Sequence, residues 1–284
     1  MGHPRVAGGV EPRRWRWSRR STTGVVVGVV AAALAVGAVV MWVTRGGQRV
    51  TPSGCRVAVG TSRYSVDLSQ AANATTIAAV GKRLSLPDHA VTIALAAALQ
   101  ESQLHNLSYG DRDSVGLFQQ RPSQGWGSTR QIMHPAYAAG AFFKALGRVH
   151  GWQAMSVTDA AQAVQRSDAP QAYASWEPLA RTLAIAATGE RPAALACEFA
   201  LGRSPVRPAS PKSALTRELG GPTLSTPVPP TRGWMIAAWL VGHAEEYRIT
   251  SVQFHKQEWT PDGVWRPVRT AAPGVRIAQT AARP

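Results

Sequence analysis

The sequence predicts a mainly helical domain that follows one N-terminal transmembrane helix and precedes a small C-terminal α/β module. Three observations carry that expectation. Residues 24–43 form an apolar run without a charge, residues 69–188 hold several segments with apolar residues at helical spacing, and the pattern turns strand-like after a proline-rich stretch. The expected divisions are a basic cytoplasmic tail at 1–22, the anchor at 23–43, the helical domain at 55–199, a linker at 200–232 and the α/β module at 233–284.

Taken in order, residues 1–22 are rich in arginine and proline and read as a tail without a core. The run GVVVGVVAAALAVGAVVMWV is long enough to span a bilayer, and RRWRWSRR before it keeps the N-terminus cytoplasmic by the positive-inside rule. A cleaved signal peptide is the alternative, but the run is long for one. Everything after the run is then expected outside the cell membrane. Cys55 and Cys197, the only cysteines, fall on that side and are expected to form one disulfide; two free thiols are the other reading. Two isolated cysteines lack metal-ligand spacing, and neither a metal nor a cofactor is expected.

CRVAV and YSVDL alternate as a hairpin about GTSR. Helices are expected over residues 69–83, 87–104, 134–149, 158–165 and 171–188. Residues 201–232 contain seven prolines and read as a linker, with SALTREL able to form a helical turn or more. In the tail, GWMIAAWLVGHAEEY reads as a helix and RITSVQFHKQEW and GVRIAQT as strands; Trp234, Trp239, Trp259 and Trp265 there are expected mainly as core. What protein partner the module would meet is left open by its residues. The formal net charge of +15 suggests a polyanionic neighbour, whether lipid heads, acidic wall polymer or nucleic acid. No stripe of basic residues is interleaved with aromatics, which ranks nucleic acid last.

The chemistry gathers in LQESQLHNLSYGDRDSVGLFQQRPSQGW, residues 99–126. VTIALAAAL before it is apolar all round and reads as a buried helix, with Glu101 in the last turns. Burial and the negative helix end both disfavour the carboxylate there, which raises its pKa and suits it to proton donation. A surface glutamate paired with His105 is the plainer reading.

The order Glu101-Ser102, Gly110-Asp111-Arg112, Gly116-Leu117-Phe118-Gln119 and Pro122 resembles the lysozyme-like superfamily, in particular soluble lytic transglycosylase and goose-type lysozyme domains. That resemblance implies a lysozyme-like fold over roughly residues 75–187. It also implies peptidoglycan glycan strands as the substrate and Glu101 as the acid that protonates the oxygen between N-acetylmuramic acid and N-acetylglucosamine. Ser102 would orient the acid or the sugar, Gly116 would let backbone approach the sugar, and Gln119 would hydrogen-bond in the cleft. Tyr109, Trp126 and Trp152 would line a stacking wall or pack inward. Asp111, ahead of Asp113, would be the second carboxylate that an inverting hydrolase needs. A lytic transglycosylase needs none. The family's later Tyr-Asn-Ala-Gly element is replaced by AVQRSDAPQAY, with Gln165 in its place and Tyr173 further on. That departure motivates the rival expectation of a non-catalytic wall-binding or scaffold protein.

Overall fold

Two consecutive helices with little or no polar face set the architecture, because each must be covered by the rest of the chain. The computed structural model describes residues 53–166, 170–202, 210–221 and 224–280. Strands β1 (Gly54–Val59) and β2 (Ser62–Val66) form the expected hairpin and lead into helix α1 (Leu68–Arg83). Asp67 caps α1 by accepting from the Gln70 amide, while the Gln70 side chain accepts from the Asp67 amide, a reciprocal cap that fixes where the helix begins. Helix α2 (Asp88–Ser102) follows, buried without interruption over residues 90–99. Its alanines, Ala94, Ala96, Ala97 and Ala98, leave room for neighbours to approach on all sides.

Those neighbours are α1, α4 (Pro135–Leu146), α5 (Val157–Gln165) and α6 (Glu177–Ala187). The short helix α3 (Thr129–Ile132) precedes α4, and a 3₁₀ segment (Pro170–Trp176) runs into α6. After α6 the chain makes β3 (Leu195–Glu198), which lies beside β1 in the sheet order β2-β1-β3. Helices α7 (Lys212–Leu219) and α8 (Pro230–Gly242) and the hairpin β4 (Ile249–Thr260) and β5 (Val264–Gln279) complete the described chain.

The expected mainly helical class is corrected, since helix accounts for about 47% and strand for about 21%, with the strands in two small sheets. Nor does the tail keep a core of its own. Residues 51–284 belong to one compact unit, in which the tail tryptophans finish the disulfide-bearing sheet. The indole of Trp259 donates to the Cys197 carbonyl at 3.1 Å and that of Trp265 to the Leu195 carbonyl at 2.8 Å. On the other side, α8 packs on α1, and the buried Glu218 of α7 accepts from both the Trp239 indole (2.8 Å) and the Thr76 hydroxyl (2.9 Å). A buried carboxylate needs such donors.

The expected single-pass cell-membrane localisation is corrected as well. No helix among the described residues is long and apolar enough to cross a membrane. The longest ones, α1 and α2, have 16 and 15 residues, short of the roughly 20 that a span requires. The expected anchor at 23–43 and the basic tail at 1–22 lie outside the described residues.

Cys55 and Cys197 form a disulfide directly across the β1–β3 register. With a sequence separation of 142 the bond closes a loop around helices α1 to α6, an entropic restraint on the unfolded chain of about 4 to 5 kcal/mol. Replacing both cysteines by serine is expected to remove most of that stability, read as a lower guanidinium midpoint with an altered slope in equilibrium unfolding.

Candidate active site

Glu101 is the next-to-last residue of α2, where the buried helix reaches the surface and stops. Gln103 and Leu104 terminate it with φ of 53° and 62°. Helix α1 fixes that end from outside, because the Asn73 amide donates to the Leu104 carbonyl at 2.7 Å and the Gln70 amide to the Gln103 carbonyl at 2.8 Å. Both acceptors are carbonyls at or just past the helix cap, where no further helical turn can satisfy them.

The carboxyl is half-buried and receives a hydrogen bond. The hydroxyl of Tyr173, wholly buried in the 3₁₀ segment, donates to Glu101 Oε1 at 3.1 Å. The side-chain amide of Gln165, at the end of α5, donates to the Phe118 carbonyl at 3.0 Å. Burial pushes the Glu101 pKa above the usual carboxylate range, and the side chains of Gln165 and Tyr173 pull against it without cancelling it. No acid is among the groups that act on Glu101.

The loop after α2 folds into a brace. Ser102 is buried, and its hydroxyl sits 2.7 Å from the Leu117 carbonyl and 3.1 Å from that of Ala98, fastening residues 116–119 to the helix rather than facing outward. Gly116, also buried, has φ of 80° and lies so close to Ile132 that a Cβ would sit 3.0 Å from its carbonyl oxygen. Its role here is a left-handed turn against protein, not an approach to open solvent. The Gln119 amide donates to the carbonyls of Tyr109 (3.3 Å) and Gly116 (3.2 Å), and its oxygen occupies the space that a side chain at Gly110 would need. Phe118 is buried against Phe142, ring centroids 4.8 Å apart.

The acidic residues of the loop separate cleanly. Asp113 accepts from Arg121 Nε (2.8 Å), the Ser123 amide (2.8 Å) and the Ser123 hydroxyl (2.9 Å). Those donors hold its carboxyl far below the usual range, the Arg121 bond first among them. It is a clamp on the Pro122–Gln124 turn. The Asp111 side chain is 86% exposed beside Arg112 at 3.8 Å. His105 pairs with Asp67 at 2.7 Å, not with Glu101, which joins the loop to the cap of α1.

The aromatic residues do not make one wall. Tyr109 is 70% exposed, Trp126 is half-buried with its carbonyl held by the Tyr137 hydroxyl at 3.2 Å, and Trp152 is buried and stacked beneath His89. Two shallow surface depressions lie elsewhere. One is between β1, β2 and β3 beside Arg56 and Arg63, the other between Ser62 and the start of α6, and Glu101 lines neither. Among the described residues no group of three or more His, Cys, Asp or Glu is placed to hold a metal ion.

The structure thus ties Ser102, the neighbour of Glu101, to the turn that holds Gly116 and Gln119, and leaves the side chains of Tyr109 and Asp111 out in solvent. Tyr173 and Gln165 complete the surroundings of the carboxyl. No protein-family model and no curated protein matches the chain.

Between its unfolded and its raised folded pKa, Glu101 binds more protons folded than unfolded, so it lowers stability as pH rises through that window. Glu101→Gln keeps an acceptor for Tyr173 and removes the charge. The variant is expected to be more stable than the parent at pH 7 and equal to it below about pH 4, measured by urea unfolding across pH.

Proposed function

We propose that this chain cleaves the glycan strands of peptidoglycan between N-acetylmuramic acid and N-acetylglucosamine, as a lytic transglycosylase or muramidase working through Glu101. One observation carries the reading: a single half-buried carboxyl at the end of a buried helix, its proton affinity raised by burial, held by a tyrosine hydroxyl and braced by the turn at residues 116–119. A carboxylic acid that stays protonated nearer neutrality can deliver its proton to a glycosidic oxygen as the bond to the sugar breaks. The carboxylate left behind, still held by Tyr173, then accepts a proton, either from the sugar's own C6 hydroxyl to close an anhydro ring or from water.

The surroundings of Glu101 favour the first of these routes. An inverting hydrolase places a second carboxylate about 6.5 to 9.5 Å from the acid to activate water. Asp111 faces solvent, and Asp113 is committed to Arg121 and Ser123. Anhydro-ended products are therefore the expected outcome. The replacement of the Tyr-Asn-Ala-Gly element by AVQRSDAPQAY favours a second reading, a wall-binding protein that holds glycan without cutting it.

Mass spectrometry of purified peptidoglycan after digestion decides between them. The parent is expected to release anhydro-muropeptides, and Glu101→Gln to release them about 10²- to 10⁴-fold more slowly. Binding of the wall by the parent without any released fragment would leave the second reading standing. Asp111→Asn is expected to stay within about twofold of the parent, since its carboxylate reaches only Arg112 and water; a loss of a hundredfold would assign it the base role after all.

A further inference from the structure

We propose that Trp176 is a positioning residue for the acid: its indole N–H, donated to the Gln100 side chain, sets the register of the 3₁₀ segment on the end of α2 and with it the reach of the Tyr173 hydroxyl to Glu101. The inference rests on the reading of Glu101 as a general acid, and its test separates the two.

Trp176 closes the 3₁₀ segment and stands immediately before α6. Its Nε1 donates to Gln100 Oε1 at 2.9 Å, and the Tyr173 hydroxyl donates to Glu101 Oε1 at 3.1 Å. A 3₁₀ helix repeats every three residues, so residues 173 and 176 stand one above the other on the same side of the segment. Two rigid aromatic side chains on that side therefore reach two consecutive residues of α2. One such tie would leave the segment free to slide or roll about it. Two fix both its level and its rotation.

The distances show why the second tie matters. Hydrogen bonds between two oxygens run from about 2.5 to 3.0 Å, so the one from Tyr173 is at its long limit and has little slack. Burial of the Tyr173 ring does not supply the missing precision, because apolar contact is non-directional. The indole bond, of ordinary length for an N–H donor, is directional and falls on the residue next to the acid. With it removed, the ring stays in the core while its hydroxyl shifts away from the carboxyl, and the ionised acid loses a donor.

The test uses the full chain with ¹³C-labelled glutamate, following the Glu101 carboxyl by NMR titration alongside muropeptide release in the parent, Trp176→Phe, Tyr173→Phe and the double variant. Trp176→Phe keeps a ring and removes the N–H. It is expected to raise the Glu101 midpoint by less than Tyr173→Phe does, to carry the alkaline limb of kcat/KM upward with it, and to lower kcat about two- to tenfold with KM within about twofold. Once the tyrosine hydroxyl is gone the indole has nothing left to aim, so the double variant is expected to titrate with Tyr173→Phe. An unchanged midpoint in Trp176→Phe, or an equal rise with and without the Tyr173 hydroxyl, overturns the proposal and leaves Trp176 as packing for α6. Gln100→Leu breaks the same bond from the α2 side, with the same expected rise, and decides the matter if the Trp176 variant does not fold. Should the parent release nothing, the functional reading fails while the midpoints still report whether Trp176 places the hydroxyl.

Discussion

Helix α2 has no polar side, and its burial is the constraint on which the other elements depend. Residues 90–99 are shielded by α1, α4, α5 and α6, so apart from Thr92, whose hydroxyl turns back to the Asp88 carbonyl, the polar side chains of the helix lie at its ends. At the C-terminal end, Gln100, Glu101 and Gln103 emerge together. The 3₁₀ segment meets two of them and α1 the third: Gln100 accepts from the Trp176 indole at 2.9 Å, Glu101 from Tyr173, and the Gln103 carbonyl from Gln70. A helix end held from two sides resists fraying, which steadies the carboxyl on it.

The same logic explains why the tail belongs to the main core. Helix α1 is covered on one flank by α4 and on another by α7 and α8, which seal it with the buried Glu218, Thr76 and Trp239 network. His243 stacks on Trp239 at 4.0 Å, and burial depresses its pKa, so that it stays neutral beside the carboxylate. Removing one partner of such a network strands the others, which makes the contact all-or-none. Since α1 also supplies Asn73 and Gln70 to the end of α2, the tail supports the carboxyl through one intervening helix.

Much of this was legible in the sequence, and what was not follows a pattern. The cysteines pair because the sequence holds no others, and the β1–β2 hairpin and the apolar helix that ends at Glu101 announce themselves through local periodicity, which one stretch of chain encodes by itself. Strand β3 does not, because four residues between a helix and a proline-rich stretch carry no period; its place is fixed by β1, the disulfide and two distant tryptophans. His105 sits four residues after Glu101, the spacing of a helical pair, yet α2 ends at Ser102 and the left-handed residues that follow turn His105 toward Asp67. The placing of Asp111 is likewise set by the loop: it directs that carboxylate into solvent and uses Asp113 for the fold. The proline-rich stretch looked like a linker because proline breaks local pattern, although Leu215 and Leu219 within it are core residues.

Under the proposed role, two opposing demands meet on Glu101. To donate, it must hold its proton more tightly than an exposed carboxyl, and burial acts in that direction by penalising the charge. To complete a cycle it must also exist as a carboxylate without drawing in a cation or distorting the helix end, and this requires donors that are already in place. An acid buried with no donor would bind its proton too tightly to be useful, while one exposed to water would lose it before use. The arrangement around Glu101 lies between these limits. Burial outweighs the pull of Tyr173 and Gln165, and both side chains are already held: the Tyr173 ring is wholly buried, and Gln165 is anchored to the Phe118 carbonyl. Because neither donor has to reorient when the charge appears, the cost of ionisation is borne in folding, before any substrate arrives.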